Sequence, residues 1–313
     1  MHPALSVIAF TVLSGAGFGL VTLVALFDRL ASAVIMLPTP VVLIAGGLGV
    51  VLATLGLLAS TLHLANPKNA WRAFSRFRSS WLSREAVFAV AFYPFVIGWL
   101  GATAFPGLLP EALVSLCAVM TVGLALATVF STGMIYASLR TIRQWNSPLV
   151  PLNYLLLGFA SGALVLAAIA ELAGGPVSDT RFLALLLLVI AAVSKGIYYF
   201  WIGAPKGSTI NTAVGQTRAQ VKLLESGQSG PSFLDKEFRY QASGGQLMRM
   251  RWLVGLAGFG VPLALLAVGI NGAALPISLL AVASMLAGLF AERWLFFAEA
   301  RHVVNLFYGA QRT

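Results

Sequence analysis

Eight stretches of mostly apolar residues follow one another along the chain, each long enough to cross a bilayer as a helix, which takes about 20 residues. They lie near 4–27, 40–63, 85–105, 112–138, 152–173, 182–203, 252–271 and 274–298. The 313 residues are 59% hydrophobic and only 10% charged. A soluble domain carries about 25% charged residues, so this little charge does not cover a soluble surface of such size. The expected fold is all-α, a polytopic membrane helix bundle, with 1–313 forming a single integral membrane domain.

The N-terminal run lacks a basic leader and a clear cleavage motif, and reads as a retained first helix. The third and fourth spans, and the seventh and eighth, are closely linked and should form antiparallel hairpins. Gly15, Gly17, Gly19, Gly46, Gly47 and Gly49 lie within spans and favour close helix approach. Gly15 to Gly19 has the look of a nucleotide loop, but it sits in an apolar span with no strand before it.

The net charge is +10, and its placement points to a lipid membrane rather than to nucleic acid. Of the 20 lysines and arginines, sixteen fall in the second, fourth and sixth connections and the C-terminal tail. The opposite side carries only Arg29 and Arg181, while Lys195 and Arg293 lie within spans. The positive-inside rule then puts both termini and the basic connections in the cytoplasm and requires an even number of spans. One connection is long, 204–251. Ile210, Val214, Thr217, Val221 and Leu224 recur there at helical spacing, and Gly227 to Pro231 reads as a turn. This is either a helix lying on the membrane surface or a docking segment for a partner.

Charge inside a span is a pointer to function. Lys195 lies eight residues, about 12 Å, inside the cytoplasmic end of its span, and Glu292 lies at comparable depth. The expectation is a buried ion pair. Glu171 lies near the opposite face and should be solvated. Cys117 is the single cysteine, so iron–sulfur or molybdenum chemistry belongs to other subunits. His2, His63 and His302 are the three histidines, and they form no pair at suitable depth in facing spans, so no haem is expected.

The segment Ala59 to Phe88 is the richest in signals. A span ends at His63, and Asn66-Pro67 stops it. A basic, aromatic connection follows with Lys68, Trp71, Arg72, Phe74, Arg76, Phe77, Arg78 and Trp81. Ser83 offers a cap for the next helix, with Glu85 in its first turn. A histidine ending one helix and a glutamate opening the next also suit the helix dipoles without any ligand.

In this pattern of His-Leu, a proline turn, an Arg-aromatic stretch and Ser-x-Glu, the sequence resembles the membrane anchor subunit of dimethyl sulfoxide reductase, the DmsC family, related to NrfD-type anchors. The opening His2-Pro3-Ala4-Leu5-Ser6 and the eight-span layout fit as well. The resemblance implies an anchor in the bacterial cytoplasmic membrane that holds an iron–sulfur electron-transfer subunit and a molybdopterin catalytic subunit. The molybdenum cofactor and the clusters stay on those partners, and electrons pass to or from ubiquinone or menaquinone. It makes His63 the quinone-site histidine and Glu85 the acidic residue beside it, with Trp71, Arg72 and Arg76 around the mouth of the site or gripping the partner. The cytoplasmic face of this site fits a cytoplasm-facing sulfite dehydrogenase better than a classical dimethyl sulfoxide reductase oxidising quinol. The alternative from another class is an anion transporter, although no pair of glycine- and proline-broken spans stands in corresponding halves.

Overall fold

A computed structural model describes residues 3–62, 66–203, 207–216, 218–225, 240, 242–268, 275–308 and 310–313. Among these are eight helices of membrane-spanning length and apolarity: α1 (Leu5–Leu30), α2 (Thr39–Thr61), α3 (Trp81–Ala104), α4 (Glu111–Ala137), α5 (Leu149–Leu172), α6 (Val177–Gly203), α7 (Gly244–Val268) and α8 (Leu275–Ala298). No β-strand occurs among the described residues. Two isolated bridges, Ile142 with His302 and Thr209 with Arg312, hold the C-terminal tail against the α4–α5 and α6–α7 connections. The protein is a multi-pass membrane protein. Leu58, Ile97 and Val193 stand exposed on the outside of the bundle, where lipid rather than water suits them.

Local signals set the helix starts. Pro38, Pro110 and Pro148 immediately precede α2, α4 and α5, where a missing N–H costs nothing. Ser243 and Gln246 form a capping box at the start of α7. Three spans begin four or more residues earlier than their apolar runs: α3 at Trp81, α6 at Val177 and α7 at Gly244. Hydropathy marks the part of a helix in hydrocarbon, whereas the helix itself continues through its polar first turns.

α1 and α5 form the centre of the bundle, with 78% and 72% of their apolar windows buried, against 28–39% for the other six. They cross backbone to backbone: a Cβ on Gly19 would collide with the Gly158 carbonyl. Gly17 and Gly49 play the same part between α1 and α2. Gly47 differs from expectation, because a side chain there would enter open space, whereas Gly15 brings its carbonyl close to Gly158 although its own Cβ direction is open. The α3–α4 and α7–α8 hairpins pack as neighbours around this centre.

Two expectations about connections are corrected. Ser80, not Ser83, caps α3, accepting from the Ser83 N–H at 3.4 Å, so Glu85 lies beyond the first turn. The Ser83 hydroxyl instead donates to the Ala73 carbonyl in the 3-10 helix Pro67–Arg76. The amphipathic helix read from Ile210 to Leu224 is one turn, Ile210–Ala213. Gly215 at φ 72° ends it, and the Asn211 side chain then ties the following loop through Gln216, Ala219 and Val221. Thr217 and Gly227 to Pro231 lie outside the described residues.

Candidate functional site

The eight antiparallel spans bring one set of helix ends together with the basic connections. Just inside this basic end lies a layer of buried polar side chains. At about 1.5 Å per residue, Glu85, Tyr154, Glu292 and Lys195 sit about 6, 8, 9 and 12 Å inside their helix ends.

Glu85 is 5% exposed. It points from α3 to α4, where the Thr132 hydroxyl bonds to its carboxylate. The same hydroxyl lies 3.0 Å from the Thr128 carbonyl. The arrangement therefore serves both forms of the acid. A carboxylate accepts from Thr132, and a carboxylic acid donates to Thr132 Oγ1, whose own proton turns to Thr128. Such a group can take and return a proton without rebuilding its surroundings.

The connection before Glu85 is held by Arg84, which donates to the Phe77 and Arg78 carbonyls at 3.0 and 2.8 Å. Its guanidinium lies 4.2 Å from the Trp81 ring centroid. Trp71 is 66% exposed, with Arg72 stacked on it at 5.7 Å, and Arg76 is exposed as well. These three side chains belong to the outer surface rather than to the enclosure around Glu85. His63 and His2 lie outside the described residues. His302, in the tail, accepts from the Val304 N–H at 3.0 Å, and partial burial holds its imidazole below the ordinary range.

The second part of the layer joins α6, α8, α5 and α4. Lys195 and Glu292 form an ion pair, with their side chains 4% and 1% exposed. Arg293 Nε lies 3.1 Å from the other Glu292 oxygen. One carboxylate thus holds two cations. Lys195 also stands 4.1 and 4.9 Å from the Tyr198 and Tyr199 ring centroids, and Arg293 lies 3.7 Å over Tyr154. Tyr154 stacks on Tyr136 at 6.0 Å. Both phenols are within electrostatic reach of Glu85 and of Arg293. Several buried polar atoms in and beside this layer have no hydrogen-bond partner among the described residues: both amide atoms of Asn153 and the hydroxyls of Ser194 and Tyr199.

Above the layer, a cavity of about 740 Å³ opens at the basic end, lined by Arg143, Tyr240, Arg251, Glu299, Arg301 and Arg312 among others. A groove of about 510 Å³, lined by Phe130, Met134, Pro151, Leu152 and Leu155, lies between α4 and α5. At the other end of the bundle Glu171 is buried rather than solvated. It pairs with Arg181 and accepts from Ser278 at 2.5 Å, because the short turn into α6 and the start of α8 close over it.

Thr132, Tyr136, Asn153 and Tyr154 carry no signal in the sequence, since hydroxyls and amides are ordinary inside spans. Arg293 is visible there as an intramembrane charge without an assigned partner.

The comparisons with known proteins agree with this architecture. Residues 1–310 match the family model described as DMSO reductase anchor subunit (DmsC). The sequence is 35% identical to the C subunit of sulfite dehydrogenase from Allochromatium vinosum, over 98% of its own length and 99% of that protein. It is 32% identical to the C component of anaerobic dimethyl sulfoxide reductase from Escherichia coli, over 55% of its own length and 58% of that protein. With a family model matched along almost its entire length, the protein belongs to the DMSO reductase anchor subunit (DmsC) family.

Proposed function

We propose that this anchor carries the quinone site of a molybdenum/iron–sulfur oxidoreductase, with His63 and Glu85 as its proton-bearing groups. The observation that carries the reading is Glu85: an enclosed carboxylate in a membrane-spanning helix, bonded to a hydroxyl that accommodates both its protonation states. Intramembrane acids are costly, and quinone chemistry gives this one a use. His63 enters through the family resemblance. An imidazole titrating near neutrality suits hydrogen bonding to a quinone oxygen. Trp71, Arg72 and Arg76, on the exposed side of the same segment, form the mouth of the site or grip the partner.

The electron donor is sulfite. The Allochromatium relative matches along the full length of both proteins, whereas the dimethyl sulfoxide reductase relative matches along about half. Sulfite and water give sulfate, two electrons and two protons on the molybdopterin subunit. The electrons cross the iron–sulfur subunit, and the quinone takes two electrons and two protons to become quinol. The partners dock on the basic end, to which 204–251 contributes. That end faces the cytoplasm, and the membrane is the bacterial inner membrane. Family membership favours this reading over an anion transporter.

The test is sulfite-dependent reduction of decylubiquinone by the complex purified through a tag on this anchor. Wild type should be active, and His63→Ala and Glu85→Gln should each lose at least tenfold in intact complexes. Full activity in both variants removes the site from this segment. An intact complex inactive with sulfite but active in quinol-dependent dimethyl sulfoxide reduction moves the substrate to the second relative's chemistry.

A further inference from the structure

Quinone reduction at an enclosed site needs a supply of protons, and the most heavily charged part of the layer has no role in the site itself. We propose that Lys195, Glu292 and Tyr199 relay protons between the cavity at the basic end and the quinone site. This rests on the quinone reading of Glu85.

The relay follows α6 and α8. Lys195 and Tyr199 are four residues apart on one face of α6, and Glu299 lies in the turn that ends α8, seven residues after Glu292, its N–H still bonded to the Leu295 carbonyl. Glu299 lines the cavity. One of its oxygens accepts from Arg251 at 2.7 and 2.9 Å, and the other is buried without a partner among the described residues. The Tyr199 ring lies 5.9 Å from Arg251 and 4.9 Å from Lys195, and its hydroxyl has no partner among the described residues. Lys195 bonds directly to Glu292. Beyond Glu292, Arg293 lies 3.7 Å over Tyr154, which stacks on Tyr136 at 6.0 Å, and both phenols are within electrostatic reach of Glu85.

Unpartnered polar atoms in a closely packed interior are costly, normally by about 1–3 kcal/mol each. A purely structural ion pair gains nothing from a line of them leading to a cavity. A relay needs donors and acceptors with a free position, because each group must receive one proton before passing on another.

The relay opens to one side only. The next buried charges along α5 are at Glu171, seventeen residues or about 25 Å from Tyr154, with buried Leu157, Leu164 and Leu166 between. Protons are therefore exchanged with the basic end and none cross the bundle.

The test uses the intact complex with two variants. Lys195→Met/Glu292→Met replaces the buried pair with apolar side chains but strands Arg293, which keeps only its contact with Tyr154. Tyr199→Phe removes one unbonded hydroxyl and keeps the fold even where the double variant does not assemble. Decylubiquinone reduction should fall at least tenfold in the double variant and about threefold in Tyr199→Phe. The KM for quinone should be unchanged and the solvent deuterium isotope effect increased. Sulfite-dependent reduction of ferricyanide by the partner subunits should be unaffected. Wild-type quinone reduction with unchanged rate and isotope effect in the assembled variants overturns the relay while leaving the quinone site standing. Proton translocation by wild-type proteoliposomes overturns its one-sidedness. Absence of quinone reduction in intact wild type overturns the quinone reading on which it rests, and the relay with it.

Discussion

Both ends of the bundle bury charge inside the membrane, and they treat it differently. At the end away from the basic connections, the buried Glu171 side chain and the partly buried Asp28 are each provided with two donors. Glu171 takes bonds from Arg181 and Ser278, and Asp28 takes them from Arg29 at 2.9 Å and Trp99 at 2.8 Å. Arg29 reaches on to Glu111. These ties lie near helix ends: Glu171 joins α5 to α6 and α8, and Trp99 and Glu111 join α3 and α4 to α1. At the basic end Glu292 is shared by two cations, Glu85 has a single hydroxyl partner among the described contacts, and Asn153, Ser194 and Tyr199 have buried polar atoms with none. Saturated charge is what a fold needs to hold together. Proton chemistry needs titratable groups with a free hydrogen-bonding position, and the basic end has them in Glu85 and Tyr199.

Removing one carboxylate from each end should give unequal losses. Glu292→Ala leaves Lys195 and Arg293 buried without compensation, and breaking such a pair costs about 3–5 kcal/mol. The expected outcome is a large drop in thermal stability of the protein in detergent, or failure to assemble. Glu171→Ala strands Arg181 within reach of the helix end, where a lost charged hydrogen bond costs about 2 kcal/mol. Detergent melting curves that rank the two in reverse would break the comparison. The smallest effect belongs to Trp71→Ala and Arg72→Ala, exposed positions where stability should change by less than about 0.5 kcal/mol. Whether the same changes weaken docking is read from co-purification of the iron–sulfur partner.

The spans are legible from sequence because a bilayer demands a long apolar run for each crossing, and all eight appear as such. Where α3, α6 and α7 begin is not, because Ser83, Arg181 and Arg251 continue a helix that hydropathy alone stops. Lys195 and Glu292 stand out as charges in apolar runs, and their similar depth is enough to suggest that they meet. The rest of the layer depends on the rotation of four helices about their axes, which decides that Arg293 covers Tyr154 and that Thr132 meets Glu85. The solvated Glu171 expected from sequence fails for the same reason. Its depth is readable, but the closure by Arg181 and Ser278 is not.

The most direct measurement compares Glu85→Gln with Glu171→Gln in sulfite-dependent decylubiquinone reduction, each in an intact complex and each normalised to its ferricyanide activity. Both substitutions remove a buried carboxylate and keep a side chain of the same size. A quinone site at Glu85 predicts at least a tenfold loss for Glu85→Gln and a rate within twofold of wild type for Glu171→Gln. Equal losses in the two, or a loss confined to Glu171→Gln, would contradict it.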